Sequence, residues 1–227
     1  MRISVITPTA GRPLGMTMCE KYIARQTVQP DEWIVADGGE VPDPLTMGQK
    51  RIWNPSAPGY MNFAINVLNA LDAVTGTMVI VIENDDWYAP DHIEQCIKGL
   101  ATQSAYGCPT LRYFNVAHRC YVEMMNRGSA LCQTAFRREL IPAMRQAAEQ
   151  SMAARDFTID GRFWAPRQRL ATGPQTVIGI KGLPGTAGLG IGHRPKSSRG
   201  KLWRADPELS MLRKWIGDDA DAYVDLA

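Results

Sequence analysis

The chain has 227 residues, of which 45% are hydrophobic and 21% are charged, and its formal net charge at pH 7 is +2. These proportions exclude a disordered or fibrous chain, and the length fits one globular domain with a short appended piece. The net charge is too small to indicate a nucleic-acid partner by itself, and no apolar run is long enough to span a bilayer.

Cysteine usage and the N-terminal residues bear on where the protein works. The five cysteines form no CxxC pair, and MRISVITPT contains no apolar segment of signal-peptide length. An odd number of cysteines without an export signal favours reduced thiols. We therefore expect a cytoplasmic protein that is not integrated into a membrane.

The first predicted elements are two βα units. The β-branched run ISVITPT predicts a strand that ends in Thr7, Pro8 and Thr9. A second strand over residues 33–36 ends at Asp37 in the turn ADGG. Because successive βα units build a parallel sheet with right-handed crossovers, we expect an α/β fold in which these strand ends lie side by side.

The most informative strand covers residues 78–82, five apolar residues that predict a strand buried on both faces of a parallel sheet. It ends in Glu83, Asn84, Asp85 and Asp86, at the edge where open α/β sheets bind ligands. Carboxylates this close repel one another unless a cation lies among them, and Mg²⁺ and Mn²⁺ prefer oxygen ligands. The alternative is a solvated acidic turn in which Asp86 or Asp91 caps the next helix.

The remaining pattern alternates helices with short strands. It predicts helices over residues 14–25, 62–75 with Gly76 as C-terminal cap, 91–102 and 137–154, a loop with one short strand over 38–59, one or two strands over 108–124 with a bend near Asn115, a strand over 176–181, and a final helix capped at Asp206, followed by a frayed acidic end.

A glycine-rich stretch, GLPGTAGLGIGHR, follows the predicted strand that ends at Lys181. It is neither a dinucleotide fingerprint, since no helix pattern follows, nor a P-loop, since it lacks the terminal Lys-Ser/Thr. Such a loop allows close backbone approach to a ligand and can form an anion nest. The basic residues that come next attract phosphate; they are Arg194, Lys196, Arg199, Lys201 and Arg204.

Three motifs in this order, ISVITPT, ADGG and IENDD, resemble the GT-A glycosyltransferases, and among them the family-2-like inverting enzymes. The resemblance covers roughly the first hundred residues. The sequences of ARQTVQPDEWIVADGG and of the glycine-rich stretch look most like those of small glycosyltransferases of tailed bacteriophages. Some enzymes of this type glycosylate modified bases in phage DNA. The resemblance implies a GT-A, Rossmann-like fold with a mixed, mostly parallel sheet flanked by helices.

The resemblance also implies a division of the chain. A GT-A domain would cover residues 1–205, with the nucleotide-sugar part at about 1–103 and the acceptor and catalytic part at about 104–205. Residues 206–227 would form a C-terminal helix and tail.

Roles for individual residues follow from the same resemblance. Asp85 would hold a divalent cation, Mn²⁺ or Mg²⁺, that bridges the donor diphosphate, and His193 would complete the metal shell. Glu83 stands where the family usually has aspartate, so its partner, whether sugar, ribose or metal, is left open. The residues expected to bind the nucleotide-sugar are Thr7, Pro8, Thr9, Arg12, Asp37, Glu83, Asn84, Lys181 and Arg194.

An inverting enzyme also needs a carboxylate that takes the proton of the acceptor hydroxyl. Asp156 and Asp160, in DFTIDGRFW, are the candidates, because the family's base lies after the second group of strands near the start of a helix. We favour Asp160, since Phe163 and Trp164 follow it and partial desolvation would raise its pKa. The alternative is that either aspartate is a helix cap.

Together these residues predict a metal-dependent inverting glycosyltransferase that moves a sugar from a nucleotide-sugar, a UDP-sugar by preference, to a hydroxyl. A hydroxymethylated pyrimidine in phage DNA is the favoured acceptor, because the basic run could track a DNA backbone. The alternatives are a polysaccharide or lipid-linked acceptor, and a sugar nucleotidyltransferase, which uses similar sheets and carboxylates.

Overall fold

The structure is a computed structural model that describes residues 2–55, 59–186, 188, 190–193, 195 and 202–226. In chain order its elements are β1 (Ile3–Thr9), α1 (Pro13–Ala24), β2 (Glu32–Asp37), β3 (Lys50–Trp53), α2 (Tyr60–Ala73), β4 (Met78–Val81), β5 (Asp86–Tyr88), α3 (His92–Thr102), β6 (Ala105–Tyr106), β7 (Thr110–Asn115), β8 (Cys120–Met125), β9 (Ala135–Arg137), α4 (Ile141–Ala153), α5 (Ile159–Trp164), β10 (Val177–Lys181), β11 (Arg204–Ala205) and α6 (Ser210–Ile216). Short 3₁₀ turns join several of them.

The larger sheet, sheet 1, has the strand order β3-β2-β1-β4-β9-β6. Its first four strands are parallel, whereas β9 runs antiparallel to both of its neighbours. All residues of β1 and β4 are buried, which explains their continuous apolar sequences. Sheet 1 therefore brings the ends of β1, β2 and β4 to one edge.

Helices cover both faces of sheet 1. On one face Val5, Val35 and Ile80 pack with residues of α1 and α3, and on the other Ile6 and Val79 pack with residues of α2, α4 and α5. Alternate strand residues point to opposite faces, so each strand contributes to both cores. The predicted fold class, a mixed and mostly parallel α/β sheet flanked by helices, is confirmed.

A second sheet, sheet 2, has the order β11-β8-β7-β10-β5 and is formed by strands that all follow β4 in the chain. Its edge strand β5 starts at Asp86, directly after the acidic end of β4. Strand β10 runs antiparallel to β5 and places Gly179 opposite Asp86. This pairing carries Lys181, at the end of β10, to the acidic residues.

Several element boundaries differ from the predicted ones. Helix α2 ends at Ala73 because Val74 is extended, and the N–H of Gly76 binds the Ser4 hydroxyl instead, so the predicted glycine cap is wrong. Helix α4 begins at Ile141, with Pro142 in its first turn where a missing N–H costs nothing.

The acidic C-terminal end is ordered, contrary to the prediction that it frays. Residues Gly217–Leu226 form a 3₁₀ helix whose Tyr223 is buried and meets the Tyr22 hydroxyl at 2.5 Å. Asp206 accepts hydrogen bonds from the N–H groups of Ser210 and Met211, so the predicted cap of the final helix is confirmed. Within the described residues, no helix combines the length and the apolar character that crossing a membrane requires.

Candidate active site

The ends of β1 and β2 meet as predicted. The parallel register pairs Pro8 with Ala36 and Thr9 with Asp37. Thr7 and Pro8 are buried, and the Thr7 hydroxyl accepts a hydrogen bond of 2.9 Å from the Trp33 indole. Thr7 therefore stabilises the core beneath the edge, whereas Thr9 and Asp37 lie at the edge itself.

A further aspartate, Asp43, links the two strand ends and was not singled out in the sequence. Its carboxylate accepts hydrogen bonds from the Thr9 hydroxyl at 2.7 Å and from the Arg12 N–H at 2.8 Å. The Asp37 carboxylate in turn accepts from the N–H groups of Gly39 and Asp43. Burial raises the pKa of Asp43, which lies in the proline-rich segment VPDP and carries no periodic signal.

The acidic residues after β4 form a compact cluster. Ligand oxygens of Glu83, Asp85 and Asp86 all lie within 4.8 Å of one another. The Asn84 side chain points away from this cluster, since its amide donates a hydrogen bond of 2.8 Å to the Thr9 hydroxyl. Asp85 is only 3% exposed, and within the described part of the chain neither of its oxygens, nor Oδ2 of Asp86, takes part in a hydrogen bond.

Three nitrogen-bearing side chains surround Oδ2 of Asp85. The distances are 3.0 Å from the Arg12 guanidinium, 3.2 Å from the Lys181 ammonium and 3.2 Å from Nε2 of His193. Lys181 also lies 2.5 Å from Oδ1 of Asp86. These three contacts with Asp85 are close in distance, but none of them is a well-directed hydrogen bond.

Burial and charge separate the pKa values of the three acids. Burial, together with the charge of Asp86, raises the pKa of Glu83 to about 8, and burial raises the pKa of Asp86 to about 6. Burial acts in the same direction on Asp85, but Lys181 and Arg12 outweigh it and hold its pKa well below the usual range. Asp85 is therefore the carboxylate that Lys181 and Arg12 keep ionised, whereas burial favours the protonated form of Glu83.

The glycine-rich stretch folds back onto the turn after β1. The N–H of Thr186 donates a hydrogen bond of 3.0 Å to the carbonyl of Gly11. The Arg12 guanidinium donates a hydrogen bond of 2.9 Å to the carbonyl of Thr186. Gly185 has a φ of +113°, and a Cβ there would lie 2.8 Å from the Gly11 oxygen. Only glycine allows this close approach of the two backbone segments.

His193 reaches Asp85 from the end of the same stretch. A Cβ at Gly188 would lie 2.0 Å from Nε2 of His193. The imidazole therefore occupies the space that a side chain at position 188 would need. Burial lowers the pKa of His193, which keeps the ring neutral and able to act as a metal ligand. Arg194, which was predicted to bind the donor, lies outside the described residues, as do Lys196, Arg199 and Lys201.

The two candidate bases have different surroundings. Asp160 lies in the first turn of α5, is half-buried, and accepts a hydrogen bond from the N–H of Gly161. Burial raises its pKa to about 6, and its charge contributes to the raised pKa of Glu83. Asp160 is thus within electrostatic range of the acidic cluster.

Asp156 instead serves local structure. It accepts hydrogen bonds from Ser151, from the N–H of Thr158 and from the Arg162 guanidinium. Hydrogen bonds from Arg162 and Thr158 lower the pKa of this carboxyl. Asp156 therefore stabilises the segment that leads into α5, whose N-cap residue is Thr158.

The cluster fits a hard divalent cation. Among the described residues, three buried carboxylate oxygens of Asp85 and Asp86 have no hydrogen-bond partner, and a bound cation or ligand would supply one. Carboxylate oxygens and a neutral imidazole are ligands that Mn²⁺ and Mg²⁺ sites use. Asp85, Asp86, Glu83 and His193 are the residues that could hold such an ion.

Comparison with known proteins gives a likeness in structure alone. No protein family model and no curated protein matches the chain. Among solved structures, the chain is similar to 2-C-methyl-D-erythritol 4-phosphate cytidylyltransferase from Thermus thermophilus, with 15% identity, 83% of this chain and 90% of that chain covered, and a TM-score of 0.50. This likeness shows a shared α/β fold.

Two glycosyltransferases are also among the similar structures. A mannosyltransferase from Pyrobaculum calidifontis, in complex with GDP-Man and Mn²⁺, is 19% identical over 62% of this chain, with a TM-score of 0.46. The match spans 46% of that enzyme, less than half of its length. Glucosyl-3-phosphoglycerate synthase from Mycobacterium tuberculosis, in complex with Mn²⁺, UDP and phosphoglyceric acid, is 18% identical over 69% of this chain and 65% of that chain, with a TM-score of 0.43.

Proposed function

We propose that the protein is a metal-dependent glycosyltransferase that moves a sugar from a nucleotide-sugar to a hydroxyl acceptor. The observation that carries this proposal is the environment of Asp85, a carboxylate buried at the ligand-binding edge of sheet 1 whose oxygens have no hydrogen-bond partner among the described residues. Cationic groups from the β1–α1 turn and from the end of β10 converge on it. Such an arrangement suits a cation and a diphosphate bound together.

Asp85 would hold the cation, with His193, Asp86 and Glu83 around it. When bound, a divalent cation supplies Lewis-acid stabilisation of the negative charge that develops on the departing diphosphate. Arg12 and Lys181 already lie within 3.2 Å of Asp85, so they are placed to bind diphosphate oxygens at the same point. Arg194 would add a further positive charge.

The nucleoside would lie at the adjoining strand ends. Asp37 follows β2 and would accept hydrogen bonds from the base or the ribose, while Thr9, Pro8 and Thr7 form the neighbouring end of β1. Asp37 currently accepts hydrogen bonds from backbone N–H groups of the following loop. These contacts orient its carboxylate and support a binding role.

Asp160 would act as the general base. It takes the proton of the acceptor hydroxyl, whose oxygen forms a bond to the anomeric carbon while the bond from that carbon to the diphosphate oxygen breaks. Attack from the face opposite the leaving group inverts the configuration. A pKa of about 6 suits this role, because the carboxylate is ionised at neutral pH and is a stronger base than an ordinary aspartate.

The first experiment is a screen of UDP-, GDP- and other nucleotide-sugars for slow hydrolysis, with and without Mn²⁺. We expect hydrolysis of one donor, UDP-sugars being favoured, and its loss on removal of the metal. Asp85→Asn keeps the shape of the side chain but removes its charge, and should abolish turnover. Full activity of Asp85→Asn would overturn the assignment of the site.

For the acceptor we propose a hydroxymethylated pyrimidine in DNA. Arg204, the one member of the basic run that the structure describes, is exposed on β11 at the edge of sheet 2. If DNA is the acceptor, its binding should weaken steeply with added salt, since phosphate contacts release counterions. Transfer to a polysaccharide or lipid-linked hydroxyl, with no effect of salt, would replace DNA by those acceptors.

The second candidate function is nucleotidyl transfer to a sugar phosphate. It is favoured by the fold shared with a cytidylyltransferase over 83% of this chain. Arg12, just after β1, would then contact the triphosphate. Incubation with CTP or UTP and a sugar phosphate separates the two reactions, because only nucleotidyl transfer releases pyrophosphate.

A further inference from the structure

Lys181 is a buried lysine at the centre of the site, with only 5% of its surface exposed. Its ammonium lies 2.5 Å from Oδ1 of Asp86 and 3.2 Å from Oδ2 of Asp85. The ammonium thus forms ion pairs with both carboxylates and places a positive charge between them.

The surroundings of the side chain are built to hold it there. A Cβ at Gly192 would lie 2.7 Å from Cγ of Lys181, and a Cβ at Gly179 would lie 3.1 Å from its Cε. The Tyr113 ring is 5.7 Å from the ammonium, measured to the ring centroid. The lysine stem thus lies in a channel. Two of its sides are glycine backbone, at Gly179 and Gly192, and a third is the ring of Tyr113.

The carboxylates that Lys181 contacts are those that fit the divalent cation. A cation bound by these two carboxylates would lie beside the lysine ammonium, and two positive charges a few ångströms apart in a buried site repel each other strongly. Binding of a cation alone is therefore opposed by the ammonium. A diphosphate offers the ammonium new oxygen partners and removes this cost.

We propose that Lys181 occupies the position of the divalent cation in the unliganded enzyme, and that it passes from Asp85 and Asp86 to the donor diphosphate when metal and nucleotide bind together. This inference rests on the proposed function. It assigns Lys181 a second role, which is to prevent tight binding of metal without nucleotide. The free enzyme would thereby keep its acidic cluster neutralised by its own side chain.

The test is a measurement of Mn²⁺ binding to the full chain by electron paramagnetic resonance, which detects free Mn²⁺ directly. Each protein is titrated alone and with UDP, GDP or CDP. For the wild type we expect binding at least about tenfold tighter with a nucleoside diphosphate than without it. In Lys181→Met the affinity without nucleotide should rise at least about tenfold, so that most of this difference disappears.

Two further variants complete the design. Lys98→Met removes an exposed lysine that pairs with Glu94 on α3, and it should behave as the wild type. Lys181→Arg keeps the positive charge and should retain weak binding of metal alone. If Lys181→Met does not fold, Lys181→Gln, which also removes the positive charge, takes its place in the comparison.

The possible failures are distinguishable. Tight Mn²⁺ binding to the wild type without nucleotide, unchanged in Lys181→Met, overturns the role of Lys181 but leaves a metal-dependent transferase in place. Absence of Mn²⁺ binding in every variant, with and without each nucleoside diphosphate, overturns the metal-dependent function itself and the inference with it.

Discussion

Asp156 and Asp160 are four residues apart, yet their surroundings give them different chemistry. Asp156 pairs with Arg162 and accepts hydrogen bonds that keep it ionised. Asp160 has no ion pair among the described residues, and burial raises its pKa to about 6. A poorly solvated carboxylate binds a proton more tightly, which is what a base requires.

We therefore predict that Asp160→Asn lowers the rate of transfer about a hundredfold or more while UDP still binds with Mn²⁺. In the wild type the rate should rise with pH through about 6, because only the ionised carboxylate accepts a proton, and this rise should be absent from the residual activity of the variant. Initial rates from pH 5 to 8 provide the measurement. Asp156→Asn is the matched control and should lower the melting temperature with the pH profile unchanged.

His92 permits a prediction about stability. It is 2% exposed, its Nδ1 lies 2.8 Å from the Thr176 hydroxyl, and burial lowers its pKa from 6.5 to about 4. Between these values the unfolded chain binds a proton that the folded protein does not. The contribution of neutral His92 is therefore complete above pH 6.5 and is lost as the pH falls towards 4.

The expected size of this effect is up to about 3 kcal/mol in the free energy of unfolding. Urea unfolding of the wild type and of His92→Gln at pH 4.5 and pH 7 measures it, because other titrating groups cancel in the difference between the two proteins. A difference that does not change with pH would show that His92 is already solvated in the folded protein.

At the scale of elements, strands buried on both faces were predictable because their apolar sequences are continuous. The strands β1, β2, β4 and β10 lie close to their predicted positions. In contrast, β5 and β9 have three residues each, too few for a pattern to emerge. The pairing of β10 with β5 depends on tertiary structure. No local sequence pattern therefore predicts that this pairing brings Lys181 to Asp86.

The 3₁₀ helix Gly217–Leu226 shows the same limit, since an acidic and weakly apolar sequence predicted fraying. The Asp219 carboxylate accepts a hydrogen bond of 2.7 Å from the indole of Trp87 on β5. It also forms an ion pair of 2.5 Å with the Arg25 guanidinium. The Arg25 guanidinium also donates a hydrogen bond of 3.0 Å to the carbonyl of Tyr88. The C-terminal segment thus supports β5, the strand that begins with Asp86.

We predict that Asp219→Ala lowers the free energy of unfolding by about 1–3 kcal/mol, because the buried Trp87 N–H and the Arg25 guanidinium lose their acceptor. Denaturant unfolding measures this change. Asp221→Ala is the control: its ion pair with Arg213 is exposed, so its removal should cost less than about 1 kcal/mol. Equal effects of the two substitutions would show that the contacts of Asp219 contribute no more than a surface pair.

Across the whole molecule, the site draws on distant parts of the chain. Arg12 follows β1, Asp85 and Asp86 follow β4, Asp160 lies in the first turn of α5, and Lys181 and His193 come from the C-terminal half. The sequence motifs identified most of these residues singly. Their mutual distances could not be predicted, because they depend on how sheet 2 and the glycine-rich stretch close over the edge of sheet 1.

This closure depends on the contact between Gly185 and the turn after β1. In Gly185→Ala a Cβ would lie 2.8 Å from the Gly11 oxygen at a φ of +113°, so the segment must move away from Arg12. We predict that the affinity for UDP in the presence of Mn²⁺ falls several-fold, because the loop that carries His193 no longer packs against the diphosphate side of the site.

Gly190→Ala is the matched control for this substitution, since a Cβ at Gly190 would meet none of the described residues within 4 Å. Both variants shorten no element and change no charge, so a selective loss in Gly185→Ala isolates closure of the loop from general stability. Isothermal titration with UDP and Mn²⁺, paired with melting temperatures, makes the comparison. If both variants bind UDP as the wild type does, closure over Arg12 does not contribute to donor binding, and the diphosphate must be held by the strand ends of sheet 1 alone.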